Sequence, residues 1–420
     1  MPDLRRNVRD AFAAGALSIA LPMGIAAAAE LPDAHEYSQV ERGRYLVTLG
    51  DCAACHTDPR REGPFAGGRR IETPFGYVAA ANITPDRKTG IGSWSDEEFD
   101  TAVRRGVMPD GKRLYPAMPF VYFAKMTSED VLSIRAYLKT VAPVERSVQS
   151  DQLPFPFKIR ALLRLWDALY FNARGFTPDA VKPAAWNRGA YLVEGPGHCA
   201  ACHTPKTYLG GDKQDQKLRG YSIQGWFAPD ITNDEARGLG NWSLDDVSDY
   251  LKKGHNRFEG AAGPMAEEIT NSSSKMRDAD LNAIAIYLKG QPGQSASQKP
   301  PAAGADVMRA GAAIYTDRCS ACHKADGTGV AYLIPDLAGS TSAASRELTT
   351  MLRVVIRGAQ SVATRDEPTG PAMPAFGWQL SDVQVAAVTT YIRNSWGHAA
   401  PAVTAAEVRN ARTSLTKALD

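Results

Sequence analysis

Three short stretches of this 420-residue sequence decide its fold: Cys52-Ala-Ala-Cys-His56, Cys199-Ala-Ala-Cys-His203 and Cys319-Ser-Ala-Cys-His323. Together they use all six cysteines of the chain, always as a pair separated by two residues. A histidine follows each pair directly. Disulfides are the usual purpose of cysteine in an exported protein, but a disulfide framework gives no reason for a histidine at the same offset three times. We therefore infer that each histidine serves the same function as the cysteine pair it follows.

This pattern favours covalent attachment of haem. Two thiols at this spacing can bond the two vinyl groups of one haem, and the adjacent imidazole then lies under the iron as its proximal ligand. A single copy would also fit a redox-active dithiol or half of a zinc site. Three copies that consume every cysteine predict three haem c groups. The predicted attachment residues are Cys52, Cys55, Cys199, Cys202, Cys319 and Cys322, and the predicted proximal iron ligands are His56, His203 and His323.

The sequence around each motif repeats, which indicates three structural units. Residues 41–47 (Glu-Arg-Gly-Arg-Tyr-Leu-Val) match residues 187–193 (Asn-Arg-Gly-Ala-Tyr-Leu-Val), and a degenerate copy occupies 308–315. Downstream of the motifs, Asn82-Ile-Thr matches Asp230-Ile-Thr. The first two units are therefore the closer pair.

Each unit ends with a predicted amphipathic helix that carries a tyrosine. The opening helices share a glycine, which would let the opening and closing helices of a unit cross closely. These features predict an all-α fold in which each unit is a small helical bundle around a flat apolar cofactor. The closing helices are predicted at 128–140, 277–289 and 382–394, and the shared glycines are Gly43, Gly189 and Gly311.

Changes in composition mark the boundaries. The units are predicted at 36–145, 183–292 and 304–398. A linker with an amphipathic helix fills 146–182, and a flexible linker rich in Pro, Gly, Ser and Gln fills 293–303. Residues 399–420 form an amphipathic tail.

Residues 1–29 have the parts of an export signal, namely a basic start, an apolar stretch and a small-residue cleavage site. An uncleaved membrane anchor is the alternative, but Gly15, Pro22 and Gly24 interrupt the apolar stretch. The chain has 48 Lys and Arg against 46 Asp and Glu, and its formal charge of +2 gives no reason to expect nucleic acid. A periplasmic location is predicted.

A methionine recurs at the place where a second axial iron ligand is needed. Met118 and Met265 each lie 62 residues after the histidine of their motif, and Met373 lies 50 residues after its own. Neighbouring prolines fit a rigid loop. Methionine with histidine saturates the iron and suits electron transfer.

Other residues could take this place. Met126 and Met276 start closing helices and are expected to be core residues. Met108 is a weaker rival of Met118 because the second unit has no counterpart. His255 is the one serious histidine rival, to Met265, and is otherwise expected at the surface or at a haem edge.

Two basic amphipathic stretches remain. Residues 159–170 place an apolar face beside Lys158, Arg160 and Arg164, which suits a membrane surface or a partner, or else a helix buried between two units. The tail begins with a capping box at Thr404. Its apolar stripe would make a surface or partner contact, or a frayed end, and consists of Val408, Ala411, Leu415 and Leu419.

Taken together, these residues resemble the three-haem cytochrome c subunit of membrane-bound bacterial dehydrogenases. That family includes the cytochrome subunits of quinoprotein alcohol dehydrogenase and of flavin-dependent gluconate, sorbitol, fructose and glucose dehydrogenases. The resemblance covers nearly the whole chain and implies three tandem class I-like cytochrome c domains. It supports the six cysteines, the three histidines and the three methionines named above. The matching stretches are Gly50–His56, Tyr115–Pro119, Trp186–Val193, Gly263–Glu267 and Pro371–Phe376.

The resemblance also implies a role. The chain would be no enzyme by itself, but the electron-transfer subunit of an oxidoreductase complex at the outer face of the inner membrane, with a peripheral membrane contact. Its haems would accept electrons from a dehydrogenase subunit containing flavin, pyrroloquinoline quinone or molybdenum, and deliver them to ubiquinone or a terminal oxidase. A free periplasmic electron shuttle is the alternative. A multihaem peroxidase would need an open iron position, against which the three methionines argue.

Overall fold

The computed structural model describes residues 34–149, 151–293 and 301–417. The predicted export signal lies outside these residues, as does most of the linker predicted at 293–303. None of the helices in the described ranges has both the length and the apolar character required to span a bilayer.

The first unit contains five helices and a β-hairpin. Helix α3 begins at a capping box formed by Ser95 and Glu98, and α5 begins at Thr127, whose side chain accepts from the Asp130 amide. The elements are α1 Ala34–Leu49, α2 Cys52–His56, β1 Arg70–Thr73, β2 Gly76–Ala79, α3 Asp96–Arg105, α4 Phe120–Phe123 and α5 Ser128–Leu138.

A connecting segment and the second unit follow. The connection contains strand β3 Asp151–Gln152, a 3₁₀ turn at Arg160–Leu162 and helix α6 Leu163–Tyr170. Two 3₁₀ turns of the second unit are Gln214–Gln216 and Ser273–Lys275. Its other elements are α7 Ala184–Glu194, α8 Ala200–His203, β4 Arg219–Ile223, β5 Trp226–Asp230, α9 Leu244–Lys253, α10 Pro264–Asn271 and α11 Asp278–Lys289.

The third unit has a shorter middle part and an additional C-terminal helix. Its elements are α12 Ala305–Arg318, α13 Ser320–His323, α14 Thr341–Ala344, α15 Thr349–Arg357, β6 Ala359–Gln360, β7 Ala372–Met373, α16 Asp382–Ile392 and α17 Ala405–Lys417.

In every unit the opening helix crosses the closing helix at the predicted glycine. A Cβ atom on Gly43 would overlap the carbonyl oxygen of Ser133. Gly189 meets Ala283 in the same way, and Gly311 meets Ala387. The absent side chain therefore sets the distance between α1 and α5, α7 and α11, and α12 and α16.

The described residues are mostly helical, as predicted, but they also form three small antiparallel sheets. Strands β1, β2 and β3 form one sheet, β4 pairs with β5, and β6 pairs with β7. A positive-φ glycine lies at each of two hairpin turns: Gly76 is the first residue of β2, and Gly225 lies between β4 and β5. Strands of two to five residues carry too short an alternating pattern to be predicted from sequence.

Each helix crossing has its own hydrophobic core, and the first cysteine of each motif packs against that core. Among the buried residues are Leu46, Phe99 and Leu138 in the first core, Leu192, Trp242 and Leu288 in the second, and Tyr315, Leu352 and Val388 in the third. The cysteines at their edges are Cys52, Cys199 and Cys319.

The first two units contact each other through two reciprocal tyrosine–aspartate hydrogen bonds. The hydroxyl of Tyr45 donates to Asp280 of the second unit at 2.6 Å, and Arg188 donates to the same carboxylate at 2.7 and 2.9 Å. The reverse exchange has the same design, with residues at matching places on α7, α5 and α1: Tyr191, Asp130 and Arg42.

The second and third units also pack directly against each other. The carboxylate of Glu259 accepts from the hydroxyls of Ser340 at 3.0 Å and Ser342 at 3.1 Å. The Val362 amide donates to the carbonyl of Ala261 at 3.1 Å. These contacts hold the loop that precedes α10 against the third unit.

Candidate functional site

Each cysteine motif forms a short helix that ends at its histidine, namely α2, α8 and α13. All six cysteines are free thiols. Burial raises the pKa of Cys52 to about 12 and that of Cys55 to about 11. A redox-active dithiol needs a thiolate with a lowered pKa, so the environment of this pair opposes the dithiol interpretation.

The three motif histidines are oriented by the same kind of bond. Nδ1 of His56 lies 2.7 Å from the carbonyl oxygen of Ala81, and Nδ1 of His203 lies 2.7 Å from that of Pro229. In the third motif the partner of His323 is the Pro335 carbonyl oxygen, at 3.2 Å. A carbonyl oxygen can only accept, so Nδ1 carries the proton and Nε2 keeps a lone pair. This is the tautomer that an imidazole needs in order to bind a metal through Nε2.

Burial also keeps these imidazoles neutral. It lowers the pKa of His56, His203 and His323 against the opposing effect of the carbonyl bonds. A neutral imidazole is the form that ligates iron. Orientation and protonation of all three side chains thus match the requirements of an axial ligand.

Sequence reasoning missed the carbonyl partners, although the repeat that positions them was visible. Ala81 and Pro229 directly precede the repeated Asn82-Ile-Thr and Asp230-Ile-Thr stretches. Oδ1 of Asn82 accepts from the amide of Thr84 at 3.0 Å, and Oδ1 of Asp230 accepts from that of Thr232 at 2.7 Å. The repeated polar residue therefore shapes the turn that presents the carbonyl to the histidine.

A large cavity opens beside the first motif. Its volume is about 1690 Å³, and Cys52, Cys55, His56 and Met118 all line it. Cys202 of the second motif lines the same cavity. The volume exceeds the roughly 300–1,000 Å³ of an ordinary small-molecule site, so there is room for a large planar cofactor. The donor set and the space therefore fit a haem attached at this motif.

Met118 occupies a suitable place in this unit. It packs, together with Trp94, in the cluster that includes Cys52. Its amide donates to the Tyr115 carbonyl at 3.0 Å in a turn flanked by prolines. Met108 also lines the cavity, but it does not belong to that cluster. Met126 and Met276 are not candidate ligands, because they are buried in the cores of the first and second units.

The other two methionines differ in how closely they approach their motifs. Met373 packs in the same cluster as Cys319. Met265 packs on a small cluster with Ile269, and Tyr250 joins that cluster to the one that includes Cys199. The structure thus places cysteine and methionine against the same core cluster in the first and third units, and against two clusters that share Tyr250 in the second.

His255, the rival of Met265, is not a surface residue. Its side chain is only 3% exposed, and neither ring nitrogen has a hydrogen-bond partner among the described residues. Its ring lies 6.3 Å from that of Tyr332 in the third unit. It lacks the carbonyl bond that orients the three motif histidines.

Comparison with known proteins also indicates a cytochrome c. The cytochrome c family model matches residues 187–292 and 308–396. The gluconate 2-dehydrogenase cytochrome c subunit of Pantoea cypripedii is 39% identical, over 95% of this chain and 95% of its own length.

Two further relatives are also similar over most of the chain. The cytochrome c subunit of alcohol dehydrogenase (quinone) from Gluconacetobacter polyoxogenes is 37% identical over 96% of this chain and 89% of its own. The fructose dehydrogenase cytochrome subunit of Gluconobacter japonicus is 37% identical over 89% and 82%.

Proposed function

Since the chain belongs to the family that contains the cytochrome c subunits of gluconate, alcohol and fructose dehydrogenases, we propose that it is the electron-transfer subunit of a dehydrogenase complex. It carries three covalent haem c groups, one in each of three tandem cytochrome c domains at 36–145, 183–292 and 304–398. When bound, haem supplies a one-electron iron couple. The observation that carries the proposal is the thrice-repeated histidine, held by a backbone carbonyl directly after a free cysteine pair.

The protein's own side chains would hold each iron. Nε2 of the motif histidine would be one ligand, and the sulfur of Met118, Met265 or Met373 would be the other. The two cysteines of the motif would attach the haem through thioether bonds, and the surrounding apolar core would exclude water. An iron with two protein ligands has no position for an organic substrate, so the chain relays electrons and the partner subunit oxidises the substrate.

Electrons would pass directly between the first two haem sites. Cys52 and Cys202 line one cavity, and the reciprocal tyrosine bonds fix the two units relative to each other. The third unit connects through its contacts with the second.

The acceptor is a membrane quinone such as ubiquinone. The cavity that begins at His56 extends to Leu165 and Leu169 on α6, and its lining is mostly apolar, which suits an isoprenoid quinone. A quinone is also named in the designation of the alcohol dehydrogenase relative. The donor is a periplasmic dehydrogenase subunit with flavin, pyrroloquinoline quinone or molybdenum, and the complex lies at the outer face of the inner membrane.

One purification tests the subunit role. The tagged chain is isolated from host membranes in mild detergent, haem is counted against protein by mass spectrometry, and haem absorbance is followed while candidate alcohols, sugars and sugar acids are added. Three haems per chain, a stoichiometric dehydrogenase and substrate-dependent reduction are expected. A lone cytochrome in the soluble fraction would instead indicate a free shuttle.

Redox titration tests the ligand set. Met118→Leu, Met265→Leu and Met373→Leu should each leave three haems attached and shift the potential of one centre, because one axial sulfur is lost. Met126→Leu is the matched control, since this methionine is buried in the same unit as Met118 but serves packing. Unchanged potentials in all three ligand variants would disprove the assignment.

A further inference from the structure

Helix α6 presents two of its leucines outward. Leu162, just before the helix, is 49% exposed, and Leu165 and Leu169 are 64% and 59% exposed. Asp167, the only acidic residue of the helix, is buried and lies 3.0 Å from the guanidinium of Arg113. A helix on a water-facing surface has the opposite arrangement, with leucines inward and charges outward. Of the apolar face predicted at 159–170, Leu163, Trp166 and Tyr170 are half-buried, whereas Leu162 and Leu169 are exposed. The interpretation as a helix buried between two units therefore holds for only one side of this segment.

The helix is fixed in this orientation by polar bonds on its inner side. Nε1 of Trp166 donates to the carbonyl of Leu209 at 2.9 Å. The Thr207 hydroxyl donates to the hydroxyl of Tyr170 at 3.2 Å. The guanidinium of Arg160 stacks over the Tyr115 ring at 4.5 Å. The exposed leucines thus belong to a helix that is anchored to both neighbouring units.

More exposed apolar residues extend this surface. Phe155 is 73% exposed, and Phe157 is 40% exposed while its ring lies 4.7 Å from that of Phe75. A contiguous group of large exposed apolar side chains is rare on a water-facing surface and marks an interaction site. The apolar platform is defined as Phe155, Phe157, Ile159, Leu162, Leu165, Leu169 and Leu209.

The exposed charges of the segment that carries most of the platform have one sign. Between residues 153 and 174 the exposed charged side chains are Lys158, Arg164 and Arg174, and the single acid is the buried Asp167. Basic residues beside exposed leucines and phenylalanines complement a bilayer, in which acyl chains lie below anionic headgroups.

The C-terminal tail, the other basic amphipathic stretch, does not share this property. Val408, Ala411 and Leu415 of α17 pack into the third core, and Leu419 lies outside the described residues. Arg412 donates to the carbonyls of Gly377 and Leu380. The apolar face of α17 is therefore buried against the third core.

We propose that the apolar platform is the surface through which this protein lies on an anionic lipid bilayer, with its leucines and phenylalanines among the acyl chains and Lys158 and Arg164 at the phosphates. The inference rests on the proposed membrane location and assigns a surface to it. It also places the α6 end of the large cavity at the bilayer, where a quinone resides.

Vesicle binding tests the proposal without a partner protein. The purified haem-loaded chain is mixed with vesicles of phosphatidylcholine alone or with phosphatidylglycerol, and the bound fraction is measured by flotation. Leu162, Leu165 and Leu169 are changed together to Ser, and the control changes three exposed apolar residues elsewhere, Val181, Leu333 and Val383, to Ser. Haem content and the visible spectrum verify that both variants are folded.

The wild type and the control are expected to bind phosphatidylglycerol vesicles, while the leucine variant binds at least about tenfold more weakly. Lys158→Gln and Arg164→Gln should each weaken binding roughly fivefold, and only on anionic vesicles. No binding by the wild type, or equal binding by the leucine variant, overturns the proposal. Loss of a co-purifying dehydrogenase without any vesicle binding would overturn it in favour of a protein contact. Haem reduction by substrate is measured separately, so failure here leaves the electron-transfer role standing.

Discussion

Replacing Asp280 with alanine should weaken the junction between the first two units. The Asp280 side chain is buried and accepts three hydrogen bonds, two from Arg188 and one from Tyr45 of the first unit. Removing one partner of a buried ion pair costs about 3–5 kcal/mol. The Arg188 side chain is 40% exposed and regains water, which places the expected loss at the lower end, about 3 kcal/mol.

Tyr45→Phe isolates the bond that crosses between the units. It removes the hydrogen bond to a charged acceptor while Arg188 still satisfies the carboxylate, and with it the longer 3.3 Å bond that the hydroxyl accepts from the exposed Arg277 amide. The first bond dominates, so a loss of about 1.5 kcal/mol is expected. The double variant should cost little more than Asp280→Ala alone, because the tyrosine bond can be lost only once. The coupling free energy between the two substitutions is therefore also about 1.5 kcal/mol.

Equilibrium urea unfolding of the haem-loaded protein measures these values, with each transition fitted separately. Glu129→Ala is the matched control, since this acid also pairs with an arginine, Arg42, but its side chain is 71% exposed. The control should change the free energy of unfolding by less than about 0.5 kcal/mol. The reasoning is refuted if Asp280→Ala is as mild as Glu129→Ala, or if Asp280→Ala and Tyr45→Phe are simply additive.

Three further predictions follow from single contacts. Burial would raise the pKa of Asp280, but its bonds to Arg188 and Tyr45 hold that pKa below the ordinary value. The difference in unfolding free energy between wild type and Asp280→Asn should therefore be constant at neutral pH and shrink as the pH falls through the folded-state pKa. Unfolding at stepped pH measures this difference. Gly189→Ala should lower the free energy of unfolding by about 1–3 kcal/mol, because the new methyl overlaps a backbone carbonyl, whereas Gly175→Ala, with no atom within 4 Å, should not. Arg412→Ala should release α17 and speed limited proteolysis between 399 and 404, with unchanged cleavage disproving that anchor.

Much of the fold can be predicted from the type and position of single residues in the sequence. Glycine at a matching place in three opening helices predicted close crossings, because only a missing Cβ allows that approach. Capping residues that are visible in the sequence stand at the starts of α3, α5 and α16 in the structure. The histidine tautomer was not predictable, since the orienting carbonyls are backbone atoms that any residue supplies.

The two amphipathic stretches show the limit of such reasoning. Periodicity shows that a helix has an apolar face but not what covers that face. Leu415 on α17 faces a core, whereas Leu165 on α6 faces solvent. The two helices differ in which of their polar side chains is paired on the inner side. For α6 that side chain is Asp167, paired with Arg113.

The reciprocal tyrosine exchange makes the first two units a two-fold pair within one chain. An isologous contact of this kind uses the same patch on both copies and closes on itself, so no patch remains open for a third copy. At the matching places the third unit has Ala310, Ala313 and Gln384 where the others have arginine, tyrosine and aspartate. The third unit therefore joins the second through a different surface and does not repeat the contact that pairs the first two.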